Sequence, residues 1–400
     1  MQEKKRFTFG DKRVTIAALI LVVFGSLMIA SAEMGNSAGD TEYLTGVIWR
    51  QAIFVVAGIL VYFFLTNVRV QNFRPVYYTI GYVILFGLLL FCRLQGQING
   101  AYAWIRIGPG ITVQPSEFAK VFMIAYAGRI LGRDRKEKNE SNFFVFIGLA
   151  LALAFIIMFI QHDLGSAVVY TVICYCVILI PDYKEIRRYQ RIMILLMVAA
   201  LGLALFILSP PVTEIMKKHA DNYMIGRFLA AADPFLYQYD NGYHIIMSLV
   251  SFANGGLFGL GYGNSIHKYM NFPNPSNDFI LPVIVEELGI VGFTAFILAY
   301  GVMLYPIIQG SFRSRYNVSK MTLLGVFVYF AAHFILNVGG VSGLIPLTGV
   351  PLLMISSGGS SLVASMAALG LCQNELMKIK KDNESNSGKI QKNTDKDIRG

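Results

Sequence analysis

The chain has 400 residues, 55% of them hydrophobic and only 14% charged, and carries a formal net charge of +10. Soluble globular domains hold about a quarter of their residues as charged side chains, so this balance excludes an ordinary water-soluble domain as the first class to test. Its basic residues form no aromatic-interleaved patch, so nucleic acid is not an expected partner.

A helix needs about 20 mostly apolar residues to cross a hydrocarbon layer roughly 30 Å thick. Such windows recur at residues 14–32, 47–65, 76–92, 118–131, 143–160, 164–180, 192–208, 279–304, 321–339 and 350–371. The expected fold class is an all-α polytopic membrane protein of about ten transmembrane helices. Residues 1–13 read as a cytoplasmic amino tail, 14–372 as one membrane domain and 373–400 as a disordered cytoplasmic tail, too polar to bury a core. Ala30-Ser31-Ala32 resembles a leader-peptidase site, but the preceding apolar run is long and further spans follow, so the first helix reads as a retained anchor.

Orientation follows from basic residues in short connections, which stay on the cytoplasmic side. Lys4, Lys5, Arg6, Lys12 and Arg13, Arg69 and Arg74, and the stretches Arg129–Lys138, Lys184–Arg191, Arg313–Lys320 and Lys378–Arg399 hold most of the 34 Lys and Arg residues. All fall on one side of the predicted topology, which places both termini in the cytoplasm. Two long segments then lie outside: 93–117, and 209–278, a large extracellular loop between the seventh and eighth helices. Where other connections are short, a long loop usually carries function. Cys92, Cys174, Cys176 and Cys372 lie in or at the ends of apolar segments without a CxxC pair and read as packing residues.

The polar residues that interrupt this pattern gather at predicted outer boundaries. Trp104 stands two residues before Arg106 in the first outer loop. Trp suits the interface, and a guanidinium pairs with phosphate oxygens in a two-pronged geometry. Gln114-Pro115-Ser116-Glu117 opens the fourth helix, with Lys120 on the same helix face as Glu117. That pair either neutralises itself inside the bundle or lines a polar cavity. Asp163, after Gln161-His162, stands where it can cap the sixth helix. Asp278 follows Pro273-Asn274-Pro275-Ser276-Asn277 and precedes an apolar run. It reads as a helix cap, as a general base in a site dry enough to raise a carboxylate pKa, or as both. Glu286 and Glu287 lie deeper and read as structurally paired. The Gly/Pro-broken stretch Asn337–Pro351 and Gly358-Gly359-Ser360-Ser361 fit close helix packing or the wall of a groove.

These stretches, in this order, resemble the signatures of the SEDS family (shape, elongation, division and sporulation), its division-type members more than its elongation type. The matching elements are Gly100-Ala101 with Trp104-Ile105, Gln114-Pro115-Ser116-Glu117 with Lys120, Asp163-Leu164-Gly165, Gly242-Tyr243, Gly255-Gly256-Leu257-Phe258-Gly259, Gly263-Asn264-Ser265 with Lys268, Asn277-Asp278-Phe279-Ile280 with Glu286-Glu287-Leu288-Gly289, and the Asn337–Ser361 block. The sequence departs from the family pattern at His162, where Pro is usual, at Asn277, where Thr is common, and at Ser357, where Tyr is usual.

The resemblance implies a peptidoglycan glycosyltransferase in the bacterial cytoplasmic membrane. It would polymerise lipid II at the outer face, release undecaprenyl pyrophosphate, and work beside a class B penicillin-binding protein transpeptidase among other division or elongation membrane proteins. Asp278 falls on the family's essential acidic position, and Trp104, Glu117 and Lys120 on positions the family needs. Asp163 and Lys268 lie in matching motifs, and Lys120, Arg106 and Lys268 are the cations expected to meet the pyrophosphate, with a divalent cation (Mg or Mn) as a further candidate. The competing reading is a lipid II flippase, which needs polar groups through the full depth of the bundle; Glu286 and Glu287 keep it open.

Overall fold

The computed structural model describes residues 10–397, except 38, 99, 109, 133–139, 208, 218–222, 240 and 271–274. The basic residues of the amino tail before Gly10, those of the loop after Gly132, and Pro273-Asn274 ahead of Asp278 lie outside the described residues.

The chain is a multi-pass helical membrane protein. Every predicted span meets a helix: α1 Lys12–Ser37, α2 Thr41–Asn67, α3 Pro75–Phe91, α4 Pro115–Ile130, α5 Glu140–Phe155 with a π turn Ile156–Ile160, α6 Leu164–Ile178 and α7 Arg187–Ile207. Three short helices follow, α8 Pro210–Lys217, α9 Tyr223–Ala232 and α10 Asn241–Gly255, and then the remaining spans α11 Ile280–Arg313, α12 Asn317–Val341 and α13 Gly359–Asp397. Among the described residues, 6 helices are long and apolar enough by themselves to cross a bilayer. The 16 residues of α4 and 15 of α6 reach only about 22–24 Å at 1.5 Å per residue, short of a hydrocarbon layer roughly 30 Å thick.

Local chemistry sets the helix ends. Asp40 accepts hydrogen bonds from the Glu42 and Tyr43 amides to start α2, and α3 and α4 begin on prolines, whose missing N–H is no loss in a first turn. In the bundle α13 packs along α2, α1 along α11, and α4, α6 and α12 close the centre.

Four features differ from the sequence reading. The outer loop after α3 contains a two-stranded hairpin, β1 Ile105–Gly108 and β2 Ile111–Val113, with Arg106 opposite Thr112. The long loop before α11 is largely helical, because its amphipathic run α10 has α11 and α12 nearby to cover it. The last span begins at Gly359 rather than Val350. Residues 342–358 are irregular, for Pro346 and Pro351 lack N–H donors and Gly343 and Gly349 adopt positive φ. Finally, α13 runs to Asp397 through the segment read as disordered. Extending a helix already nucleated in the bundle gains one hydrogen bond per residue without a new nucleation cost.

Candidate functional site

Asp278 sits on the turn that leads into α11 and is partly exposed. The helix cap itself is Phe279, which makes no side-chain capping bond, so the capping explanation for Asp278 does not hold. Loop 342–358 passes directly over the carboxyl: a Cβ added at Gly349 would lie 3.8 Å from Asp278 Oδ2. Burial pushes the carboxyl pKa up from 3.8 to about 6, its own backbone amide and the charge of Arg227 on α9 pulling the other way. Arg227 in turn donates to the Leu347 carbonyl of the same loop at 3.1 Å.

The loop also connects Asp278 to the pair at the start of α4. Asn337 of α12 donates to the Asp278 carbonyl at 2.8 Å and to the Val350 carbonyl at 2.9 Å. One residue on, the Pro351 carbonyl lies 3.0 Å from Nδ1 of His333, whose Nε2 is 3.2 Å from Lys120 Nζ. An ammonium only donates, so Nε2 accepts and Nδ1–H faces Pro351: the imidazole is neutral, in its Nδ1–H tautomer. Lys120 also binds Glu117 Oε1 at 2.6 Å, and Tyr329 donates to Glu117 Oε2 at 3.0 Å. Glu117 and Lys120 are fully buried, so the self-neutralising reading of the pair describes this structure.

A second charged cluster lies where α11 is broken. Gly289, at φ 66 and ψ −168, interrupts the helix, and the glycine-rich loop after α10 pairs with the gap: Leu260 and Gly261 amides donate to the Glu286 and Glu287 carbonyls, both at 2.9 Å. A Cβ at Gly259 or Gly289 would meet backbone at 2.2 or 2.3 Å, which explains glycine at both. Inside this joint Lys268 Nζ binds Glu287 at 2.8 Å, the Gly263 carbonyl at 2.7 Å and Ser31 of α1 at 3.1 Å, so all three ammonium hydrogens are used. His267 meets Glu286 at 2.6 Å.

The remaining predicted residues stand at the outer ends of α4 and α6. Asp163 caps α6 by accepting from the Ser166 amide, and its other oxygen accepts from Gln114 Nε2 at 2.7 Å. The Gln114 amide donates to Ser360 at 2.9 Å, which ties this corner to the first turn of α13. Arg106 is exposed on β1, and Trp104 is partly buried just before it. The loop thus links Asp278 with Glu117 and Lys120, and Gln114 joins Asp163 to α13, while Lys268 belongs to the separate joint. His333, Tyr329 and Arg227 escaped the sequence reading: His333 and Tyr329 sit inside an apolar window, and Arg227 lies in a loop without a motif. Among the described residues no three His, Cys, Asp or Glu side chains converge as a metal cage, so these side chains alone do not form a site for the divalent cation.

With this geometry in view, the profile of the cell cycle protein family FtsW/RodA/SpoVE matches residues 12–382. The chain is 31% identical to stage V sporulation protein E of Bacillus subtilis, over 92% of this chain and 97% of that protein. It is 30% identical to the probable peptidoglycan glycosyltransferase FtsW of the same organism, over 94% and 93%. Among solved structures, a chain from a peptidoglycan synthase complex, described as coordinating polymerization and crosslinking, superposes with a TM-score of 0.67 at 23% identity, covering 94% of this chain and 99% of that one. The rod shape determining protein RodA of Thermus thermophilus superposes with a TM-score of 0.58 at 21% identity, over 93% and 98%.

Proposed function

We propose that this chain, which belongs to the FtsW/RodA/SpoVE family of cell cycle proteins, is a peptidoglycan glycosyltransferase that polymerises lipid II with Asp278 as its general base. The observation that carries the reading is the Asp278 carboxyl: partly open to solvent, yet held by burial at a pKa of about 6. Such a group is mostly ionised at neutral pH and still basic enough to take a proton in a transition state.

In the reaction, Asp278 takes the proton of the acceptor sugar's 4-hydroxyl as that oxygen forms a bond to the donor's anomeric carbon. The bond from that carbon to the pyrophosphate oxygen breaks, and polyprenyl pyrophosphate leaves with the electron pair. Positive charge near the leaving group stabilises this step. Lys120 and Lys268 spend their donors on buried partners, whereas Arg106 is exposed on the outer hairpin, which makes Arg106 the expected contact for the pyrophosphate.

Orientation supports an outward-facing site. Asp11, just before α1, exchanges hydrogen bonds of 2.8 and 2.7 Å with Gln373 of α13, which puts both ends of the membrane domain on one side. The basic connections support a cytoplasmic assignment for that side. A class B penicillin-binding protein transpeptidase is the partner the resemblance implies, supported by the similar synthase complex described as coordinating polymerization and crosslinking, and the cell cycle family supports a setting in cell division. The flippase reading loses its motive, since Glu286 and Glu287 are sealed into a saturated joint rather than open along a path.

Purified protein, with and without its partner, tests the reading on labelled lipid II. Asp278→Asn and Asp278→Ala are expected to insert and elute normally and to make no glycan polymer; near-normal polymer from either variant overturns the assignment.

A further inference from the structure

Asp278 lies on a turn, not on a helix, and the helix that follows starts without a side-chain cap. A base that must meet a hydroxyl within hydrogen-bond reach therefore needs its backbone held from elsewhere. The tethers are visible. On one side Asn337 holds the Asp278 carbonyl at 2.8 Å. On the other, the Ser357 amide donates to the Ser276 carbonyl at 2.7 Å, and the Ser276 hydroxyl donates to Glu33 Oε1.

Glu33 belongs to the outer end of α1, distant in sequence from every motif discussed above. It is buried at 8% exposure, and no cation pairs with it among the described residues. Its second oxygen accepts from Tyr43 of α2 at 2.8 Å and from Asn36 at 3.0 Å. A buried carboxylate without a countercharge is costly unless donors satisfy it. Here the donors come from α1, α2 and the Asp278 turn. A Gln could not replace it fully, because one side of an amide donates where both sides of this carboxylate accept.

We infer that Glu33 is a positioning residue for the polymerisation reaction: through Ser276 it fixes the turn that presents Asp278, and so couples the first helical hairpin to the catalytic base. The inference rests on the reading of Asp278 as the base. It assigns Glu33 no contact with substrate and no proton of its own.

The test compares turnover of labelled lipid II by full-length Glu33→Ala, Ser276→Ala and the double variant, each checked for monodisperse elution and thermal midpoint. A displacement near 1 Å at a reacting group costs on the order of 100-fold, so a loss of 10- to 100-fold in kcat is expected for each single variant, with KM little changed. The double variant is expected to be no worse than the poorer single one, since both remove one tether. Whatever activity remains should keep the wild-type pH midpoint, because the base itself is untouched. Tyr43→Phe, which removes a donor on the far side of Glu33, is expected to stay within about 3-fold of wild type.

Wild-type kcat in Ser276→Ala overturns the inference, even if Glu33→Ala fails to fold. So does a shifted pH midpoint in Glu33→Ala, which would make Glu33 a titrating participant. Asp278→Asn run in parallel separates the two levels. If it still makes polymer, the base assignment falls; if it is dead while both tether variants turn over normally, only the positioning role falls.

Discussion

Glu117 and Asp278 both stand at the outer ends of buried helices, and both are reached by loop 342–358, yet their surroundings differ. Glu117 is closed off with an ammonium at 2.6 Å, a phenol at 3.0 Å and a neutral imidazole beyond, every charge matched. Asp278 keeps an opening to solvent and has only its own backbone amide and the field of Arg227 to offset its burial. The same contrast separates it from Glu287, whose lysine has spent its last hydrogen. A matched buried acid holds helices together, whereas an under-compensated one remains available to take a proton.

The sharpest way to break this contrast is to unmatch Glu117. Lys120→Ala leaves a carboxylate buried without its counter-ion, for which the expected loss is about 3–5 kcal/mol of stability. It should appear as a large fall in thermal midpoint in detergent, and adding Glu117→Leu should recover much of it, because removing both charges leaves no unpaired ion and costs only the neutral Tyr329 hydroxyl and His333 Nε2 a partner. If Lys120→Ala instead keeps its midpoint and loses only glycan synthesis, the pair works with Asp278 and the distinction between holding and reacting dissolves.

The second measurement sharpens the other side of the comparison. Asp278 is raised from 3.8 to about 6, so as pH falls through about 6 the base becomes protonated and polymerisation should decline tenfold per unit below that midpoint. Arg227 lowers the carboxyl pKa. Replacing it in Arg227→Ala should therefore move the acidic limb to higher pH while the plateau above it stays reachable. A limb that ignores Arg227 would show that another group limits the rate.

The two regions were unequally legible in the sequence. Asp278 stands out because a turn-forming stretch delivers an acid straight to an apolar run, and Glu117 with Lys120 because charge three residues apart in a span is rare. Their completing partners are not readable: His333 lies 213 residues from Lys120 and Glu33 lies 243 from Ser276, and no local periodicity encodes such meetings. Hydropathy also misplaced the start of the last helix. Val350–Ile355 is apolar enough to look helical, but Pro351 withholds a donor and Met354 takes φ +68, so the stretch folds as the loop over Asp278. Lys268, read as a cation for pyrophosphate, needed the α11 break to be seen as buried, and a single glycine in an apolar helix does not announce a break.

The smallest expected effect lies beside Asp163, an acid of the outer face held by neutral donors. His162 is exposed and holds φ +56, a left-handed conformation that costs a non-glycine residue about 1–2 kcal/mol. On each side the backbone is fixed: the Gln161 carbonyl accepts from the Tyr102 amide at 2.8 Å, and the Asp163 amide donates to Ile157 at 3.1 Å. His162→Gly should therefore stabilise the protein by roughly 0.5–1 kcal/mol, after losing a ring contact with Tyr102 at 6.1 Å. His162→Pro, the residue usual in the resembling family, locks φ near −65° and should destabilise by more than ~1 kcal/mol here. Opposite signs in the two thermal midpoints would mean that this chain has rebuilt the corner around histidine, with Asp163 still capping α6. A stabilising proline would mean that the turn can adopt the other conformation, and that the φ at this corner follows from the side chain rather than from the bonds that flank it.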